Sequence, residues 1–235
     1  MMADSPGDPI DFDRQFYGRR RGRVLRIVPR TLTERRLPAL RLDLAVPAPP
    51  SLGPLFATPV TDFHLEIGFG SGEHLAWLAE RHSGVGFIGV EPFVNGVAAL
   101  VGHIDARGLD NIRIHDHEVA PLLHWLPDSS IGRTYVLFPD PWPKRRHRKR
   151  RLIGPETLRR LARVMRSGAE LRVASDVDDY VATTLAAIRG SAEFHWPVET
   201  DARWRDDRVG WPPTRYERKA IAAGRRCRYF RFVRR

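Results

Sequence analysis

Cysteine is nearly absent from this sequence. It occurs once among 235 residues, at Cys227, which excludes an internal disulfide and a cysteine-built zinc cluster. No run approaches the roughly 20 apolar residues that cross a bilayer. The polar opening Met1–Pro9 also lacks the apolar centre of a secretory leader. Acidic residues are in the minority, with 28 Asp plus Glu against 39 Lys plus Arg and a net charge of +11. These deficits predict a cytoplasmic protein with no membrane association, whose preferred partner is a polyanion, nucleic acid first. The hydrophobic share of 42% is enough for one sizeable core. Nothing in the composition separates a monomer from a homodimer.

Arginine is concentrated in three blocks: Arg19–Arg23, Lys144–Arg151, and from Arg225 onward. Residues 1–60 read as a basic, Pro/Arg-rich arm, because Pro47, Pro49, Pro50, Pro54 and Pro59 favour an extended linker. Residues 61–235 read as the folded domain. There, short apolar runs at His64–Phe69, Gly86–Val90, Ile112–His115, Thr134–Phe138 and Leu171–Ser175 alternate with helical patterns such as Val97, Val101 and Ile104. One helix is expected over Pro155–Arg166, with Leu158, Leu161 and Met165 as its stripe and Gly168 as its stop. The alternating Arg226–Val233 reads as a last strand. This order predicts an α/β fold, a doubly wound and mainly parallel sheet with helices on both faces.

The unusual residues fall at the expected carboxyl ends of strands, where such sheets bind ligands. The first strand runs into Glu66, Gly68, Gly70 and Gly72, a loop whose glycines allow tight turns and close ligand approach. The second ends at Glu91, placed to accept from the two hydroxyls of an adenosine ribose. This combination fits both dinucleotides and S-adenosylmethionine. Two details favour the latter. Glu73 stands where a dinucleotide fingerprint has its last glycine, and a carboxylate repels a pyrophosphate. Glu66 suits a ligand carrying a sulfonium and an ammonium. Glu118, after the third strand, is placed to accept from an adenine amino group. The nearby His115 and His117 lack further ligands at a recurring metal spacing, so no metal is expected.

The fourth strand ends in Phe138-Pro139-Asp140-Pro141-Trp142 and then the basic run from Lys144. The two prolines stiffen the loop and pre-position Asp140. Arg145–Arg151 are expected to grip phosphates and guide a nucleic acid into the cleft. Trp142 suits either base stacking or burial.

The glycine loop, Glu91, Phe138–Trp142 with its basic tail, Ala174-Ser175-Asp176, Thr214-Arg215-Tyr216-Glu217 and the Arg19–Arg23 block together resemble the bacterial tRNA (guanine-N7-)-methyltransferases. The resemblance spans nearly the whole chain. It implies a Rossmann-like class I enzyme using S-adenosyl-L-methionine to form 7-methylguanosine in the tRNA variable loop, conventionally at position 46. It further implies that Glu66, Gly68, Gly70, Gly72, Glu91, Glu118 and Asp140 line the cofactor site, with Asp140 catalytic. Lys144, Asp176, Thr214, Arg215, Tyr216 and Glu217 would hold the RNA. One departure is visible, because the family usually has Asp where this chain has Glu118. Rival readings of the residues are an exocyclic-amine nucleic-acid methyltransferase, a dinucleotide-dependent oxidoreductase and a non-catalytic tRNA-binding protein. For Asp176 and Glu217 the residues alone read as a helix N-cap and a surface ion pair with Arg218 or Lys219.

Overall fold

Strands buried on both faces are commonly apolar at consecutive positions, as in Val85–Val90 and Tyr135–Leu137, whereas Asp62–Ile67 alternates Phe63, Leu65 and Ile67 with the buried polar side chains of His64 and Glu66. In the computed structural model, which describes residues 20–197 and 211–235, the chain forms a seven-stranded sheet. The strands are β1 (Asp62–Ile67), β2 (Val85–Val90), β3 (Ile112–His115), β4 (Ile131–Leu137), β5 (Met165–Ser175), β6 (Phe194–His195) and β7 (Arg228–Arg234). The order across the sheet is β3-β2-β1-β4-β5-β7-β6. β1 to β5 pair in parallel, and β7 runs antiparallel between β5 and β6. The expected doubly wound α/β sheet is therefore present.

Helices cover both faces. α1 (Ile27–Leu40), α2 (Glu73–Arg81) and α3 (Val94–Arg107) pack on one, where Leu75, Leu100 and Ile104 meet Phe87, Ile112 and Tyr135. α4 (Val119–Trp125), α5 (Pro155–Val164) and α6 (Asp178–Arg189) contribute to the other, where Leu122, Leu158, Leu161 and Ile188 meet Leu65, Ile88, Val136 and Val173. α7 (Arg215–Ala222) precedes β7.

The chain winds outward from β1 to β3, then crosses back to β4, so β1 and β4 are hydrogen-bonded neighbours that lead to opposite sides. Ligands bind at such a switch point, outside the carboxyl ends of the strands. The two loops that carry most of the chemistry, after β1 and after β4, flank it.

Two expectations need correction. Residues 27–60 do not form a loose arm. α1 packs against α3, Leu37, Leu40, Leu42, Leu52 and Phe56 are buried in the core, and Leu42 N–H donates to the Ile114 carbonyl at 2.9 Å. Of the Arg19–Arg23 block, Arg19 lies outside the described residues. The helix expected to reach Arg166 ends at Val164, and Met165 opens β5 by pairing with Ile131. Gly168, read as the helix stop, sits inside that strand at φ +79°.

Candidate active site

The loop between β1 and α2 turns on three glycines with left-handed φ, +75° at Gly68, +59° at Gly70 and +77° at Gly72. Other residues rarely adopt this conformation. A Cβ at Gly68 would point into open space, whereas one at Gly72 would strike Leu100 at 2.7 Å. Gly72 thus lets α3 pack close, and Gly68 leaves the floor of the cleft bare. A fourth glycine completes the cradle and escaped the sequence reading. A Cβ on Gly96, in the first turn of α3, would stand 2.2 Å from the Gly70 carbonyl.

Glu91, just past β2, is tied directly to this loop. One carboxylate oxygen accepts from Gly70 N–H and the other from Phe93 N–H, each at 2.9 Å. Each oxygen keeps a lone pair, so the group can still accept from a ribose hydroxyl. Burial pushes its pKa up, the two N–H donors pull it down, and nearby Asp140 adds to the rise. Glu66, at the end of β1, is buried and pairs with His74 of α2, Oε2 to Nδ1 at 2.7 Å. Glu118 occupies the N-cap position of α4. Its carboxylate pairs with Arg20 at 3.2 Å, so the described start of the chain lies across this end of the cleft. Gly22 N–H donating to Asn95 and the Asn95 amide donating to the Arg23 carbonyl fix it there.

Asp140 follows β4, the strand beside β1. Its loop is strained at two non-glycine positions, with φ +51° at Phe138 and +42° at Trp142, a feature that clusters at ligand-binding sites. Asp140 stands exposed at the lip of the loop. Its carboxyl is nevertheless raised above its ordinary pKa by partial desolvation. Tyr216 bridges the two halves. Its ring, itself exposed, lies 3.4 Å from the place of a Gly70 Cβ, and its hydroxyl is raised by partial desolvation and by the charges of Glu91 and Asp140. The structure therefore brings Glu91, Gly70, Asp140 and Tyr216 close together.

The remaining residues have different surroundings. Lys144 is exposed just before a 3-10 turn, Arg145–Arg150. Arg145 and Arg146 are exposed, but Arg151 is buried and corrects its place in the expected phosphate grip. It ion-pairs with Asp179, donates to Thr183 at 2.8 Å, and holds the Pro141 carbonyl at 2.9 Å. Arg148 also pairs with Asp179, at 2.6 Å. Arg151 thereby braces the Asp140 loop, and Arg148 shares its Asp179 partner. Trp142 is half-buried beside Arg150, whose guanidinium lies 5.1 Å from its ring. Asp176 pairs with Arg225 at 2.5 Å; α6 begins later, at Asp178. Thr214 is the N-cap of α7, accepting from Glu217 N–H at 3.1 Å, and Arg215 is exposed. Glu217 is no surface ion pair. It is buried and accepts from the Tyr229 hydroxyl. Among the described residues no cluster of three His, Cys, Asp or Glu side chains is placed to hold a metal, and no helix is long and apolar enough to cross a membrane.

A glycine cradle with bare floor at the switch point, carboxylates at successive strand tips and an antiparallel β7 define a class I methyltransferase, whose methyl donor is S-adenosylmethionine. A family model described as "Putative methyltransferase" matches residues 61–229. The chain is 48% identical to the "tRNA (guanine-N(7)-)-methyltransferase" of Chelativorans sp. (strain BNC1), covering 93% of this chain and 94% of that protein. It is equally similar to proteins of the same name from Brucella melitensis biotype 1, with 97% of each chain covered, and from Mesorhizobium japonicum, with 98% and 99% covered. It belongs to the tRNA (guanine-N7-)-methyltransferase family.

Proposed function

We propose that this protein methylates N7 of a guanine in tRNA, at variable-loop position 46, forming 7-methylguanosine in the cytoplasm as a monomer or homodimer. The observation that carries the reading is the juxtaposition at the β1/β4 switch point. A bare glycine floor and Glu91 lie on one side, and Asp140 stands on the other without a hydrogen-bond partner among the described residues.

The donor half fits S-adenosylmethionine. Glu91 retains acceptor capacity for ribose hydroxyls, Glu66 places negative charge behind the glycine loop, and the absent Cβ at Gly68 leaves the ligand room. Gly70 and Gly72 shape that loop. Glu118 serves the adenine end once it exchanges Arg20 for the ligand. When bound, the donor supplies an electrophilic methyl on a sulfonium.

Guanine N7 carries a lone pair and no proton, so the protein need not remove one. Methylation leaves a positive charge on the purine. Asp140 accepts from guanine N1–H and the 2-amino group, which orients the base and excludes adenine, and its charge stabilises the cation as it develops. Tyr216 closes the space between base and glycine loop. Asp176 and Glu217 serve the substrate side by fixing its wall through Arg225 and Tyr229. Thr214 starts α7 so that Arg215 and Tyr216 face the RNA, and Lys144 with Arg145 and Arg146 meets phosphates. In the proposed division, the Arg19–Arg23 end of residues 1–60 is the RNA-facing arm, and the methyltransferase domain takes in 27–60 together with 61–235.

The test is methyl transfer from labelled donor into unmodified tRNA transcripts, followed by nucleoside mass spectrometry. 7-Methylguanosine is expected with the variable-loop guanine and none without it. A methylated exocyclic amine, or no transfer at all, would overturn the reading.

A further inference from the structure

Glu66 is not an isolated acid. It shares a cluster with three rings from different parts of the chain, two buried (His74, Tyr135) and one half-buried (Trp211). His74 Nδ1 lies 2.7 Å from its Oε2, and the two side chains are only 1% and 3% exposed. With the carboxylate ionised, which can only accept, Nδ1 is the donor. Trp211 lies flat on the imidazole, with centroids 4.0 Å apart and planes 22° apart, and Tyr135 meets it edge-on at 5.0 Å. The far nitrogen, Nε2, is buried with no hydrogen-bond partner among the described residues. Leaving a buried polar atom unpaired is unfavourable, so packing alone does not explain a histidine here. Leucine or phenylalanine would fill the space without it. Among the described residues, the one polar contact of its side chain is with Glu66.

We propose that His74 is a positioning residue for methyl-donor binding. Its imidazole fixes the Glu66 carboxylate behind the glycine loop. Through Trp211, it also ties that carboxylate to the stretch leading into Thr214–Glu217. One stack thereby sets the donor end and the RNA end of the cleft together. The inference rests on the reading that Glu66 serves the donor.

Two substitutions separate the two contacts. His74→Phe keeps a ring under Trp211 and removes the hydrogen bond. His74→Asn places an amide N–H where Nδ1 stood and removes the stack. In the full-length protein, His74→Phe should raise the donor KM by about tenfold or more, as expected for losing a hydrogen bond to a charged group. Its tRNA KM and its kcat at saturating donor should stay within about twofold of wild type. His74→Asn should hold the donor KM within about threefold and raise the tRNA KM instead. Glu66→Gln, measured alongside, tests the underlying reading, since donor binding unaffected by that change removes the role of Glu66 itself. If Glu66→Gln weakens donor binding while a folded His74→Phe does not, the positioning role is wrong. Should His74→Phe fail to fold, His74→Asn decides: a donor KM raised as far as in Glu66→Gln, despite a restored N–H, contradicts the proposal.

Discussion

The two halves of the cleft are built on different principles. The donor half is wired internally: Glu91 takes two backbone N–H groups, Glu66 takes His74, and three positive-φ glycines hold the floor. The base half faces water, and its charges divide into two kinds. The buried Arg151 holds the Asp140 loop at the Pro141 carbonyl and shares Asp179 with Arg148, whereas Lys144, Arg145 and Arg146 are exposed. A preorganised pocket suits a small ligand that must be held in one pose. A screened, exposed set of cations suits a polyanion that arrives by diffusion and must leave again. Charge density alone therefore says little about RNA contact, because arginines in one run differ between internal ion pairs and solvent.

The sharpest way to break this contrast is Asp140→Asn, which removes the base-side charge and leaves the donor half intact. The single-turnover rate at saturating donor should fall about a hundredfold. A rate near wild type would remove the electrostatic role. Next in size, Arg151→Ala should lower folding stability by about 2 kcal/mol in urea unfolding and leave the salt dependence of tRNA binding unchanged. The double change Arg145→Ala with Arg146→Ala should do the reverse, flattening the slope of log affinity against log salt by about one to two units at unchanged stability. Equal effects from both variants would erase the distinction between bracing and gripping arginines. On the donor side, Gly96→Ala drives a Cβ into the Gly70 carbonyl and should weaken donor binding by about tenfold, within the range expected for overpacking, with tRNA affinity kept.

The smallest effect concerns pH. Desolvation raises the Asp140 pKa, so the carboxylate takes up its proton at a higher pH than an ordinary aspartate. In the proposed mechanism the charged form is the useful one. Activity should therefore fall as pH drops through this raised value, and the acid limb of kcat should disappear in Asp140→Asn. For stability the sign is opposite. A carboxyl raised by burial favours the folded state more when protonated, so its contribution declines as pH rises through the same range.

The wired half was the more legible in sequence. Glycines, strand-end acids and β3 at Ile112–His115 are local features, and local features write themselves into spacing. What stayed hidden depends on contacts between distant residues. Arg151 looks like its neighbours until Asp179, 28 positions later, withdraws it from solvent. Glu217 reads as a surface charge until Tyr229 meets it in the core. α1 has little amphipathic signal because only Leu37 and Leu40 are buried, while Ile27 and Val28 are exposed. Of its two prolines, Pro29 sits in the first turn, where a missing N–H costs nothing, whereas Pro38 lies inside the helix and forfeits one backbone hydrogen bond. Met165 fits a helical stripe equally well, and pairing with Ile131 decides for the strand. Gly96 had a readable signal, a glycine in an otherwise helical pattern, which often marks close backbone approach.

The central claim is that one hollow, between the glycine loop and the Asp140 loop, holds the donor beside the base. A crystal structure of the protein with S-adenosylhomocysteine tests it most directly. The account predicts ribose hydroxyls hydrogen-bonded to Glu91, the homocysteine end over Gly68–Gly72 on the Glu66 side, and sulfur facing Asp140. Density for the ligand outside that hollow, or a ribose with no contact to Glu91, would contradict it.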